Sequence, residues 1–190
     1  MQRFPQTLLI LSTLVAAWLG MQAVHEAGHV LGAWLTGGRV ERVVVHPLTI
    51  SRTDVSDNPH PLMVVWAGPI FGVLAPLMLW AAAAGTKLRG AFVLRFFAGF
   101  CLIANGLYIG IGSFEGVGDC GEMLRSGAQP WQLWLFGLAT APVGLWLWHR
   151  QGEHFGLGAR QGKVDERVAY AMLGIAVAVL VVTVIVGGGT

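Results

Sequence analysis

The chain has 190 residues, 55% of them hydrophobic and only 12% charged, and its mean hydropathy is +0.64. That balance excludes a soluble domain of this size and describes a multi-pass integral membrane protein surrounded by a lipid bilayer. The formal net charge of +2 is spread along the loops, so no basic patch argues for a nucleic-acid partner.

After a short head, Met1 to Gln6, an apolar run extends from Thr7 to about Leu35. A signal-peptide core ends after about 7–15 residues. This run continues for about 29, the length of a tilted membrane helix. Within it stands His25-Glu26-Ala27-Gly28-His29. On a helix, histidines four residues apart project from one face and can grip a single zinc ion. Glu26 directly follows the first imidazole, where its carboxylate can reach a water on that metal. This is the apparatus of metal-assisted hydrolysis: zinc acidifies water and polarises a carbonyl, while the carboxylate moves the proton. HExxH also arises by chance on surface helices. An unpaired charge near the bilayer centre, however, costs about 2.5–3.5 kcal/mol on insertion scales. Two histidines and a glutamate among Val24, Val30, Leu31 and Trp34 therefore point to function. Gly28 and Gly32 offer a small-residue face to a neighbouring helix. The helix is expected to stop at Gly37-Gly38, which puts both histidines in its second half, near the side where the next loop emerges.

Arg39 to Pro61 changes character. Val40 to His46 is β-branched, Pro47 follows, and Thr49 to Val55 alternates polar and apolar residues, the pattern of two short strands joined at a proline-containing turn. The hairpin is either an ordinary structured loop or an edge that receives an unwound substrate segment. Leu62 to Ala84 forms the second span and contains Ala67-Gly68-Pro69-Ile70-Phe71-Gly72, where Pro69 frees a backbone carbonyl and the glycines permit close approach to the first helix. Gly85 to Gly90 is a basic connection with Lys87 and Arg89, and Ala91 to about Ile111 is the third span. Asn105, deep within it, either hydrogen-bonds between helices or positions a substrate backbone. Gly68 and Gly72 join it as candidates for contact with substrate.

The most glycine-dense stretch, Gly110 to Leu124, follows. A catalytic zinc takes three protein ligands and leaves one position open, so HExxH needs a third donor. If the first three spans cross in turn, this stretch returns to the side of the first helix's second half. Asp119, beside Gly118, is the favoured third ligand; its alternative role is a favourable charge at a helix N-terminus. Cys120 is the rival donor, with His46 and His60 more remote. Neither Cys101 nor Cys120 has the spacing of a disulfide framework. Trp131 to Trp148 forms a fourth span with tryptophans at both ends as interfacial anchors. His149 to Glu166 is expected to be a solvated connector, and Val168 to Val186 a fifth span before Gly187 to Thr190. The expected fold is an all-α polytopic membrane protein with about five transmembrane helices and a short β-hairpin between the first and second. The whole of 1–190 reads as a single domain, with a core at 7–124 and additional helices at 130–149 and 167–187.

From Thr7 to Leu124 the chain resembles the site-2 protease family of intramembrane zinc metalloproteases, in particular its small members with a bare membrane core. The resemblance rests on HEAGH in the first core helix, AGP-x-x-G at Ala67 to Gly72 in the second, and an aspartate beside glycine, Asp119, after the third. It implies one zinc held by His25, His29 and Asp119, Glu26 as the catalytic acid and base, cleavage of transmembrane segments of other proteins, and a substrate-guiding hairpin. It also implies a zinc site toward the cytoplasm, whereas the lysine and arginine bias places the N-terminus there. The competing functional class is an inactive membrane scaffold that binds transmembrane partners, against which an intact Glu26 argues. A metal transporter or sensor would carry ionisable residues on several spans. Oligomeric state is not legible in the sequence.

Overall fold

The computed structural model describes residues 3–47, 51–86 and 88–187. Met1 and Gln2 of the head, Thr49 and Ile50 of the expected second strand, Lys87 of the basic connection and the tail from Gly188 lie outside the described residues. Among the described residues the chain forms α1 (Arg3–Thr36), β1 (Arg39–Val44), β2 (Arg52–Ser56), α2 (Pro61–Ala84), α3 (Ala91–Gly112), α4 (Gly118–Arg125), α5 (Pro130–Trp148) and α6 (Glu166–Gly187). Helices α1, α2, α3 and α6 are long and apolar enough to cross a membrane. The protein is thus a multi-pass integral membrane protein in a bilayer.

The expected fourth span, α5, falls outside that set by composition, because Gln132, Pro142 and four tryptophans dilute its leucines. It still runs antiparallel beside α3 along its length. Trp134 Nε1–H donates to Ser113 Oγ at 3.0 Å near one end, and Trp148 Nε1–H donates to the Phe96 carbonyl at 2.9 Å near the other. Glycines set the spacing between the two helices. A Cβ at Gly137 would stand 2.7 Å from the Gly106 carbonyl, and one at Gly144 would stand 2.7 Å from that of Gly99.

The contact between α1 and α2 is equally close. A Cβ on Gly28 would lie 2.8 Å from Gly68 Cα and would also strike the Ala67 carbonyl, while one on Gly32 would lie 2.6 Å from Ala67 Cβ. Small residues let two helices approach until their backbones touch, the usual packing solution in lipid. α1 ends as expected: Gly37 takes φ +81° and the Gly38 N–H donates to the Ala33 carbonyl at 2.8 Å, a glycine-dependent helix stop. The chain then turns into an antiparallel hairpin pairing Val40 with Val55 and Val43 with Thr53, with an irregularity between Val40 and Arg42. Two buried clusters lock the ends of the bundle. Leu9, Val93, Phe155, Val168, Ala169 and Met172 form one, and Val65, Ile109, Cys120, Met123, Ala128 and Leu133 form the other.

The stretch between α5 and α6 departs from the expected solvated connector. It folds into two 3-10 turns, Gly152–Phe155 and Gly158–Arg160, and docks on the bundle. Gln6 Nε2–H donates to the Phe155 and Gly156 carbonyls at 3.0 Å each, and His154 stacks on Phe92 with ring centroids 4.8 Å apart. Burial of Phe155 drives this docking, since one aromatic side chain contributes more than the surrounding polar residues can offset.

The close α1–α2 contact makes a prediction. Gly28→Leu must force the helices apart and lowers stability by about 1–3 kcal/mol, read as a lower thermal unfolding midpoint in detergent. Gly85→Ala leaves the midpoint unchanged, because a Cβ there meets open space.

Candidate functional site

On α1 the buried residues Gln22, His25, Glu26 and His29 follow an i, i+3, i+4, i+7 spacing, which puts all four on one face. That face looks into a cavity of about 1080 Å³ walled also by β2, α2, α3 and the start of α4. The imidazoles meet Asp119 there. His25 Nε2 lies 2.8 Å from Asp119 Oδ2, His29 Nε2 lies 3.3 Å from the same oxygen, and the two Nε2 atoms are 3.1 Å apart.

The second nitrogen of each ring fixes its tautomer. His25 Nδ1–H donates to Asn105 Oδ1 at 2.6 Å. The Asn105 amide is oriented for this because its Nδ2–H donates to the Cys101 carbonyl at 2.9 Å, which settles oxygen against nitrogen. His29 Nδ1–H donates to the Val64 carbonyl at 2.9 Å, in the first turn of α2. With both protons on Nδ1, both Nε2 atoms present lone pairs, and they face a carboxylate oxygen that is also an acceptor. Three acceptors about 3 Å apart repel unless a cation or a proton lies among them. Zinc bonds of about 2.0–2.2 Å in tetrahedral geometry set donors roughly 3.3 Å apart, so nitrogen, nitrogen and oxygen at these separations fit that ion. Among the described residues His25, His29 and Asp119 form the metal-capable cluster, and neither His46, His60 nor Cys120 belongs to it.

Asp119 is placed by α4. Gly118 adopts φ +57°, and the Asp119 N–H donates to the Tyr108 hydroxyl at 3.1 Å. One residue later Cys120 is fully buried in the cluster beneath, its S–H directed to the Tyr108 carbonyl at 3.3 Å. The two candidates of the sequence thus separate: the carboxylate faces the histidines and the thiol faces the core. Burial acts to raise the Asp119 carboxyl, but the His25 and His29 rings set against it outweigh this and hold the group well below the usual carboxylate range. Burial, with Asp119 beside it, pushes the Cys120 thiol up to about 11, so it stays protonated at neutral pH. No side chain caps α4, which Val117 precedes; Asp119 lies in its first turn, where its charge is favourable, and its carboxylate also meets the imidazoles.

Glu26 is 2% exposed and accepts a hydrogen bond from the Thr53 hydroxyl at 2.7 Å. The hairpin therefore reaches the site through a side chain. Gly68 and Gly72 stand behind the donors and are not among the residues lining the cavity. A Cβ on Gly68 would strike the His29 ring, and one on Gly72 would stand 2.9 Å from both amide atoms of Asn105. Asn105 does line the cavity, although its oxygen and nitrogen already serve His25 and Cys101. Sequence reasoning missed Thr53, Tyr108 and Gln22. Only Gln22 had a local signal, its place on the histidine face.

The hydrogen bond from His25 to Asn105 has a measurable consequence. Asn105→Leu removes the acceptor that holds Nε2 toward the cluster and lowers zinc affinity about 10–100-fold, measured by chelator competition. Asn105→Asp, which keeps an acceptor oxygen, restores most of it.

Comparison with known proteins places the chain in a family. The family model described as peptidase M50B-like matches residues 6–111, just over half of the chain, covering HEAGH, the glycine-proline segment of α2 and Asn105. Among curated proteins and among solved structures nothing matches. The match ends before Asp119, and it carries the family's general character: membrane-embedded, protease-related and zinc-dependent. The chain belongs to the peptidase M50B-like family, the site-2 protease family of intramembrane metalloproteases.

Proposed function

We propose that the protein is an intramembrane zinc metalloendopeptidase that cleaves transmembrane segments of other membrane proteins. The observation that carries this reading is the convergence of His25 Nε2, His29 Nε2 and Asp119 Oδ2 within 2.8–3.3 Å of one another, beside a buried glutamate at the wall of a large cavity. In this reading His25, His29 and Asp119 hold one zinc per chain, and 1–190 works as a single domain. When bound, the ion supplies a Lewis acid and acidifies water at neutral pH.

The chain's own groups do the rest. Glu26 takes the proton of the attacking water and returns it to the leaving amide nitrogen. Thr53 donates to Glu26 Oε2, keeping one carboxylate oxygen occupied so that the other is free to face the reaction. Asn105 and the Val64 carbonyl orient the imidazoles. Substrate helices must unwind to present a peptide bond, because a helix hides its carbonyls in its own hydrogen bonds. The hairpin offers a place for the unwound chain. Arg52, Thr53, Asp54 and Val55 of β2 line the cavity, and a two-stranded sheet leaves the outer edge of β2 open to an added strand.

Metal analysis and a cleavage assay on the detergent-purified protein test the reading together. Wild type carries about one zinc per chain, and His25→Ala, His29→Ala and Asp119→Ala lose it. Glu26→Gln keeps the zinc and loses cleavage by about 10²–10⁴-fold. Full activity in Glu26→Gln overturns the proposed mechanism, and partner capture that survives loss of both zinc and Glu26 favours a scaffold. Thr53→Val is expected to retain zinc and lower kcat about tenfold, the worth of one hydrogen bond to a charged group.

A further inference from the structure

Gln22 is 5% exposed, yet neither its Oε1 nor its Nε2 has a hydrogen-bond partner among the described residues. Buried amides are almost always paired, because a buried donor or acceptor without a partner is destabilising. Among the described residues three other side chains hold a buried unpaired polar atom: Thr13, Arg95 and Gln151. None of them lines the cavity that holds the histidines, whereas Gln22 does, together with the apolar Trp18 and Met21.

We propose that Gln22 is a substrate-binding residue that takes the N–H and C=O of an unwound polypeptide backbone; this rests on the endopeptidase reading above. A carboxamide offers one acceptor and two donors, the complement of a peptide group. An unwound segment in this part of the cavity, lined by the apolar Trp18 and Met21, has lost its helical hydrogen bonds. Gln22 lies one helical turn before Glu26, about 6 Å along α1. An extended chain advances about 3.3–3.4 Å per residue, so Gln22 meets the peptide group two residues from the bond that Glu26 attends. The site thus recognises main chain rather than a particular side chain at that position, and the class of ligand is a locally extended, apolar transmembrane segment.

The test uses full-length protein carrying Glu26→Gln, loaded with zinc, and a labelled transmembrane peptide of leucine and alanine with a central glycine pair, in detergent micelles. Wild-type protein cuts the peptide and so locates the scissile bond. Gln22→Met keeps the shape of the side chain and removes both unpaired atoms. It is expected to raise the thermal unfolding midpoint, leave zinc content unchanged and weaken peptide binding about tenfold. N-methylation of the peptide group two residues from the cut weakens binding to the Gln22 protein and has no further effect on Gln22→Met. A residue with a merely structural role would lower the midpoint on substitution and would leave the N-methyl effect intact. Equal peptide affinity with and without Gln22 overturns this inference and leaves the endopeptidase reading standing. Failure of zinc-loaded wild type to cut any of a series of such peptides overturns both.

Discussion

Lone pairs from two imidazoles and a carboxylate converge on a space about 3 Å across, and mutual repulsion among them must be relieved by a positive charge. Much of the surrounding architecture serves to hold that arrangement. Asn105 and the Val64 carbonyl take the Nδ1 protons, so the Nε2 atoms have no hydrogen to offer each other. Gly68 leaves room for the His29 ring and Gly72 for the Asn105 amide. Cys120 and Met123 seat α4 in an apolar cluster, which fixes the approach of Asp119. Helices α1 and α4 supply the converging atoms, α2 the space for one ring, and α3 the amide that orients the other.

The organisation of the core is legible in the sequence because its signals are local. An HExxH on a membrane-length helix, glycines at 28 and 32, a proline-glycine segment and a Gly-Gly stop each act over one or two helical turns. The hairpin appears at about its expected place, with strands Arg39–Val44 and Arg52–Ser56, for the same reason. The convergence of Asp119 with His25 depends instead on how three helices pack, over a separation of 94 residues. Chain topology narrows the third donor to one stretch but cannot choose between adjacent side chains. Cys120 and Asp119 are separated only by which way the first turn of α4 faces, and the buried cluster decides that.

What the sequence concealed shares one cause, which is that polarity alone does not reveal docking. The segment after α5 is rich in glycine and charge, yet Phe155 pulls it onto α1, α3 and α6. Thr53 reads as one alternating polar residue in a strand, and its contact with Glu26 exists only once the hairpin folds back over α1. For α5, tryptophans and Gln132 lower its apolarity, while its glycines, spaced to match those of α3, record a partner that no composition window registers.

The glycine-lined seam between α3 and α5 bears on how firmly the side chains of α3 are held. Where carbonyls of one helix lie within van der Waals reach of the other's Cα atoms, sliding brings immediate steric collision. The pair consequently packs as a stiff plank, and Asn105 and Tyr108 are mounted on it facing α1.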